Sequence, residues 1–276
     1  MNQYRFVAGV IATLLTWLAI LDHWDLWAAC VWHITLFAGG LVYVARRWWP
    51  LVWQIQTERQ ATEPVRLAEI WPFQWRIALS WCCGYFVFSL FNPVMLYFHG
   101  RAAAGRMGMT RQAVEAVAAL ATAWTQTKVP QFGILIRGRR FGELDRLFRL
   151  ATLQGLGVCV AGGLGAVAVV AALKEWSPLG GRFLDLPSLS LLIVGGTANY
   201  LITSMAFYLR AHKREPYMGL SAATALIVGS LVVGFGALYG ALGAILGYTC
   251  VVLCFTLPAA AWIFFRRRRE WHRPDL

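Results

Sequence analysis

The sequence predicts an all-α fold, a polytopic membrane helical bundle with about eight transmembrane helices. Two observations support this prediction. The 276 residues are 59% apolar and only 14% charged, which is too apolar for a soluble protein of this length. The apolar residues also fall into runs, most of which reach the ~20 residues that cross a bilayer as a helix. The eight runs, A to H in order, are 6–21, 26–45, 77–98, 108–133, 150–173, 189–209, 217–238 and 241–265.

Basic residues indicate the direction in which the runs cross. Of the 25 Lys and Arg, 19 lie before run A, between B and C, between D and E, between F and G, or after H, and Lys128 lies near the end of run D. Because cytoplasmic loops collect Lys and Arg, this alternation predicts a multi-pass protein of the bacterial inner (plasma) membrane with both termini in the cytoplasm. Basic groups at helix ends also attract anionic membrane lipids. Since the net charge of +12 does not lie on one soluble face, we expect no nucleic-acid partner.

The longest gap divides the chain into a two-helix part and a six-helix part. Residues 1–49 hold two transmembrane helices, the first of them short. Residues 50–74 are predicted to form a cytoplasmic interfacial linker that begins with a short helix. Residues 75–265 hold six helices, and 266–276 form a basic cytoplasmic tail.

Two further patterns concern packing. Residues 137–149 predict either an amphipathic helix on the inner membrane surface or, equally well, a solvated connector. Small residues let helix backbones approach closely in lipid, so clustered glycines predict tight helix packing. The clustered glycines are Gly162, Gly163, Gly165, Gly236, Gly240, Gly243 and Gly247.

Nothing in the sequence points to an enzyme or to a cofactor. The chain lacks the HExxH, CxxC, GxSxG and Walker A patterns. Its six cysteines all lie inside the apolar runs, and Cys250 and Cys254, one helical turn apart, have no neighbouring His or carboxylate to complete a metal site. We therefore interpret the cysteines as packing residues and expect neither a metal nor another cofactor.

Polar residues inside the runs are the candidate functional residues, because burying them in lipid costs a few kcal/mol each unless they meet water or a partner. Arg111 and Glu115 of run D are spaced to pair on one helix face. In run C, Pro93 lacks an N–H and is expected to bend the helix. We predict a hydrophilic cavity between runs C, D and F that can hold an anionic head group such as a phosphate. The candidate substrate-path residues are Arg76, Tyr85, Ser89, Asn92, Arg111, Glu115, Gln126, Lys128 and Asn199.

Each candidate also has a structural interpretation, in which it only holds the helices together. That interpretation is favoured for Ser89 and Asn199, whereas an unneeded charge pair such as Arg111 and Glu115 would be costly at that depth. Lys128 could simply extend its ammonium group to the membrane interface.

The order of several short motifs resembles the second lobe of polysaccharide flippases in the multidrug/oligosaccharidyl-lipid/polysaccharide superfamily. The resemblance covers about 75–265. The motifs that carry it are 75–79, Asn92–Pro93, GRAAAGRMG at 100–108, Lys128–Val129–Pro130, Phe132–Gly133, FGELDRLF at 141–148 and YGALGAILGY at 239–248.

The resemblance implies a fold and an activity. Such proteins place twelve spans in two six-helix lobes around a central cavity, and they flip lipid-pyrophosphate-linked glycans by alternating access. Runs C to H would match the second lobe and runs A and B the end of the first, so a missing or separate N-terminal lobe is an expected partner. Members of that family often carry a charged residue at the position that Asn92 occupies in this chain. Because Asn92 is uncharged, ion coupling at this position is in doubt.

The expected function is therefore transport of lipid-linked oligosaccharide or polysaccharide precursors, such as those of O-antigen in lipopolysaccharide, across the inner membrane. Two alternatives stay open: a non-transporting subunit or scaffold of a polysaccharide-assembly system, and an exporter of the multidrug type. A membrane glycosyltransferase or ligase is disfavoured, because the sequence lacks an acidic catalytic cluster.

Overall fold

A computed structural model describes residues 2–24, 27–57 and 67–272, and it confirms the all-α class. The structure is 92% helical, and the described ranges contain no strand. The chain divides into two compact units, Met1–Arg66 and Leu67–Leu276.

The first unit is a pair of packed helices, α1 (Asn2–Leu21) and α2 (Trp27–Thr57). Small side chains are buried in it, among them Ala12 and Ala28. Helix α2 continues through Pro50 to its end, so the first part of the predicted linker 50–74 is helical. Residues 58–66 of that linker lie outside the described residues.

The second unit contains the rest of the described helices. They are α3 (Leu67–Ser89), α4 (Phe91–Gln126), α5 (Val129–Arg137), α6 (Phe141–Trp176), a 3₁₀ turn (Pro178–Arg182), α7 (Leu186–Ala211), α8 (Met218–Val251), a π-helical segment (Val252–Thr256) and α9 (Leu257–Trp271).

Two of these helices fold back on themselves at a glycine. Gly100 in α4 and Gly240 in α8 have φ values of 82° and 66°, a region of backbone conformation that favours glycine. Arg111, which follows Gly100 along the chain, donates a hydrogen bond to the carbonyl oxygen of Phe88, which precedes it. Across Gly240, a Cβ atom on Gly243 would lie 2.5 Å from the carbonyl oxygen of Phe235. Leu67–Trp271 therefore forms six consecutive helical arms.

Four helical stretches in the described chain are long and apolar enough to cross a membrane, which suggests a membrane protein. Large apolar side chains such as Leu226 and Leu238 also lie exposed on the outside of the second unit. Lipid solvates such a surface better than water does. The four stretches are Trp71–Arg137, Phe141–Trp176, Leu186–Ala211 and Met218–Trp271.

The six arms bring the basic segments of the second unit to one end. Hydrogen bonds there join Ser80 to Glu215, Tyr208 to His272, and Asp145 to Arg268. We call this the basic end; it consists of residues 137–149, 210–217 and 266–272, together with Arg76. At the opposite end, which holds both glycine folds, the ring Nε2 of His99 lies 2.7 Å from the carbonyl oxygen of Gly236.

The prediction of a separate surface helix or connector at 137–149 is wrong in one respect. Residues 141–149 form the first turns of α6, which runs without a break into the next apolar run. The physical reason is packing: Leu144 is buried, and the Phe148 ring packs edge-on against Tyr208 at 4.9 Å between centroids. The apolar face that was expected to meet lipid meets α7 and α9 instead.

Glycines on α6 let neighbouring helices approach it closely. The Tyr200 hydroxyl reaches across this helix to hydrogen-bond Thr125, at 2.9 Å, and the carbonyl oxygen of Thr152, at 3.1 Å. It occupies the space beside Gly155, where a Cβ atom would lie 2.0 Å from that hydroxyl. In contrast, a Cβ atom on Gly157 would meet nothing within 4 Å.

These two glycines give a direct test of the packing. Gly155→Ala should destabilise the protein by about 1–3 kcal/mol, because the new methyl group displaces Tyr200. Gly157→Ala should be neutral or slightly stabilising, since alanine favours the helix and meets open space. Melting temperatures of the purified variants in detergent would decide; equal values for both variants would contradict the packing of α6 against α7.

Candidate functional site

A cationic cavity opens at the basic end of the second unit. Its volume is ≈ 430 Å³, and it lies between the start of α3, the α7–α8 turn and the end of α9. Lys213 has a left-handed backbone conformation, φ 58°, which makes that turn tight and places basic side chains together. One carboxylate, Glu215, also lines the cavity. The cations that line it are Arg76, Lys213, Arg214 and Arg267.

Glu215 closes the inner side of this cavity. Its side chain is only 1% exposed and forms an ion pair with Arg210, which is 20% exposed. The Ser80 hydroxyl donates to the carboxylate at 3.3 Å and lies 3.3 Å from the Ser221 hydroxyl. A buried carboxylate needs such partners, because taking a lone charge out of water costs several kcal/mol.

A second cavity begins on the other side of the Ser80–Glu215 hydrogen bond. We call it the polar cleft; it has a volume of ≈ 100 Å³ and lies between α3, α7, α8 and the π-helical segment. Most helix surface in this unit is apolar, yet the cleft is lined by several hydroxyl groups and one amide. Its polar lining residues are Ser80, Asn199, Ser221, Thr224, Tyr248 and Thr256.

The π-helical segment shapes one wall of the cleft. Pro258 follows it and has no N–H to donate to the carbonyl four residues earlier, so the α-helical ladder is interrupted there. The Thr256 hydroxyl donates to the carbonyl oxygen of Val251 at 3.3 Å and lies 3.1 Å from the Thr224 hydroxyl. π-helical turns are frequent at functional sites.

Tyr248, which lines the cleft, has an unpaired buried hydroxyl. The residue is buried, and within the described part of the chain its hydroxyl has no hydrogen-bond partner. Its ring packs against Phe88 and Phe91, each at 5.7 Å between centroids, and fits beside Gly195, where a Cβ atom would lie 2.6 Å from it. An unsatisfied buried hydroxyl costs about 1–3 kcal/mol, so a polar group of a ligand would find a free partner here.

The predicted pair of Arg111 and Glu115 forms, with 3.3 Å between the charged atoms. Arg111 also donates to the carbonyl oxygen of Phe88, a residue that lines the cleft. The backbone at this point leaves regular helix at Leu90, three residues before Pro93. The Arg111 side chain is 18% exposed and that of Glu115 is 46% exposed. Charge therefore lies next to the cleft, on the side away from the basic end.

The sequence-predicted residues separate into two groups. Arg76 lines the cationic cavity, Asn199 lines the polar cleft, and Arg111 with Glu115 lies beside it. Asn92 is half-buried against Gly108, and its side-chain oxygen has no hydrogen-bond partner among the described residues.

The remaining predicted residues lie elsewhere. Tyr85 is 75% exposed and points outward, since Gly84 and Phe88 occupy the cleft side of α3. Gln126 is exposed because the preceding residue, Thr125, faces the interior and forms a hydrogen bond with Tyr200. The two that remain, Ser89 and Lys128, are half-buried but line neither cavity.

Sequence reasoning missed the residues at the junction of the two cavities. The sequence shows Glu215 only as one residue of a basic turn. It shows Ser80, Ser221 and Thr224 only as single small polar residues inside apolar runs. One signal was present: Pro258, in the middle of run H, marks the interruption that places Thr256 at the cleft.

A second polar cluster ties the basic end together. Both oxygens of Asp145 accept hydrogen bonds from Arg268, and the Tyr208 hydroxyl donates to Asp145 at 2.7 Å. The same hydroxyl lies 3.0 Å from Nε2 of His272. Burial lowers the pKa of His272 and that of His212, so both rings favour the neutral form. This cluster joins α6, α7 and α9.

No protein-family model, curated protein or solved structure matches this chain. The described residues also contain no group of three or more His, Cys, Asp or Glu that could hold a metal ion. The all-α fold and the four long apolar helical stretches suggest a helical membrane protein. The argument for its function comes from the two neighbouring cavities.

The ion pair at the junction of the cavities can be tested by charge removal. Glu215→Gln should destabilise the protein by about 3 kcal/mol, because it leaves Arg210 without its counter-charge in a mostly buried position. Glu143→Gln is the matched control: its pair with Arg140 is 61% and 56% exposed, so its loss should cost less than about 1 kcal/mol. Thermal unfolding in detergent measures both, and an equal, small effect of the two variants would contradict the buried pair.

Proposed function

We propose that the chain is part of a membrane transporter that flips lipid-linked oligosaccharide or polysaccharide precursors across the bacterial inner membrane. The observation that carries the proposal is that the cationic cavity and the polar cleft are neighbours, separated by the Ser80–Glu215 hydrogen bond. Polar groups inside an apolar membrane bundle are costly unless they are used.

The chemistry of the two cavities fits the two polar parts of such a substrate. Arg76, Lys213 and Arg214 offer charge-assisted hydrogen bonds to a phosphate or pyrophosphate group. The hydroxyls of the cleft, together with Asn199, can exchange hydrogen bonds with sugar hydroxyls. The apolar tail of the substrate would stay in the surrounding lipid.

Transport along this path requires helix movement. The cleft has room for roughly three water molecules, far less than a sugar chain needs. Ser80 lies on α3, whereas Glu215 lies in the α7–α8 turn and Ser221 at the start of α8, so the path opens when α3 separates from this turn and from α8. Gly100 and Gly240 provide bends about which the connected arms can move.

The proposal includes a topology and a partner. The basic end faces the cytoplasm, in line with the positive-inside rule, and the chain crosses the membrane eight times with both termini inside. A cavity enclosed on both sides needs a second six-helix lobe beside Leu67–Trp271, and that missing or separate lobe is the partner we propose. The protein catalyses no covalent step.

A non-transporting subunit of a polysaccharide-assembly system is the second candidate. One observation favours it: Leu67–Leu276 is a single compact unit whose cleft is only ≈ 100 Å³. An exporter of cationic drugs fits less well, because four cations line the larger cavity.

Neutralising the Arg111–Glu115 pair distinguishes the transporter from the non-transporting subunit. In a strain of the source bacterium that lacks its own copy, Arg111→Gln with Glu115→Gln should abolish most surface polysaccharide and leave lipid-linked precursor in the inner membrane. The protein should still reach the membrane in normal amount, which immunoblotting of membrane fractions checks.

Arg106→Gln is the control, since Arg106 is an exposed cation on the same helix. It should leave surface polysaccharide intact. Normal polysaccharide display by the Arg111→Gln, Glu115→Gln variant would contradict transport through this path and favour the subunit role.

A further inference from the structure

A third cavity opens on the outside of the second unit, between α6, α7 and α9. We call it the lateral groove; its volume is ≈ 490 Å³. It shares no lining residue with the cationic cavity or with the polar cleft. Its walls are mostly apolar, and they include the exposed side chains Leu153 and Phe265. It is therefore a separate site that faces the surroundings of the bundle.

The groove is polar at one end only. Asp145, Arg149 and Arg268 line it at the basic end. Asp145 is neutralised, because Arg268 donates to both of its carboxylate oxygens. Arg149 makes no ion pair within the described part of the chain, so the polar end of the groove carries a net positive charge.

The length of the groove corresponds to one leaflet of a bilayer. Along α9 it extends from Arg268 to Leu257, which is about 16 Å at the rise of an α-helix. Half of the ~30 Å hydrocarbon core is of similar length. Thr152 lines the groove one turn beyond Arg149, and its buried hydroxyl has no hydrogen-bond partner among the described residues.

We propose that the lateral groove binds an anionic phospholipid of the leaflet at the basic end. Arg149 and the remaining edge of Arg268 hold its phosphate, and Thr152 donates a hydrogen bond to an ester oxygen at the depth of the glycerol. One acyl chain lies along Leu153, Leu201 and Met205. Basic pockets between transmembrane helices are typical sites for anionic lipid head groups.

Native mass spectrometry of the full-length protein in neutral detergent tests the proposal, with phosphatidylglycerol and phosphatidylcholine as probes. The wild-type protein should bind phosphatidylglycerol about fivefold more tightly than phosphatidylcholine, the effect of one well-placed basic residue. Arg149→Gln should remove this preference. Arg146→Gln, at an exposed position on the same helix outside the groove, should keep it.

A second pair of variants tests the acyl-chain wall. Leu153→Gln should weaken binding of both lipids, because it places a polar group against the chain. Leu150→Gln, 53% exposed on the same helix but outside the groove, should leave binding unchanged. Equal affinity of the wild-type protein for the two lipids, or equal effects within either pair of variants, would overturn the proposal.

Discussion

The buried ion pair of Arg210 and Glu215 is the contact on which the second unit depends most. It lies where α7 turns into α8, and through Ser80 it also holds α3. Without Arg210, the Glu215 carboxylate would be an uncompensated charge among apolar helices. The same carboxylate separates the cationic cavity from the polar cleft. Glu215 therefore contributes both to stability and to the proposed path. Opening the path must break the stabilising hydrogen bond between Ser80 and Glu215.

The remaining arms are held by close backbone packing, which the sequence predicted in part. Clustered glycines indicated tight contacts, and at Gly163 a Cβ atom would indeed lie 2.6 Å from Ile193, whereas Gly165 faces open space. The predicted boundary between the apolar runs 217–238 and 241–265 coincides with the bend of α8 at Gly240. Apolar runs and small residues are local signals, so the helical class and the turns could be read from them.

The candidate site was harder to predict, because spacing shows which residues share a helix face but not what that face meets. Arg111 and Glu115 pair as expected, since both lie on one helix. Tyr85 shares a helix with the cleft residues but points outward. Glu215 becomes important only through Arg210 and Ser80, two contacts that depend on how three helices come together. Likewise, only the packing of the core shows that the buried Tyr248 hydroxyl lacks a hydrogen-bond partner among the described residues.

The most direct test of the account is whether water reaches the polar cleft from the basic end. In a variant whose six cysteines are replaced, Thr224→Cys would probe the cleft and Leu226→Cys the apolar outer surface of the same helix. In inside-out membrane vesicles, a charged, membrane-impermeant thiol reagent should modify Thr224→Cys and leave Leu226→Cys unmodified. An unreactive Thr224→Cys, or equal labelling of the two positions, would contradict a polar path through the bundle.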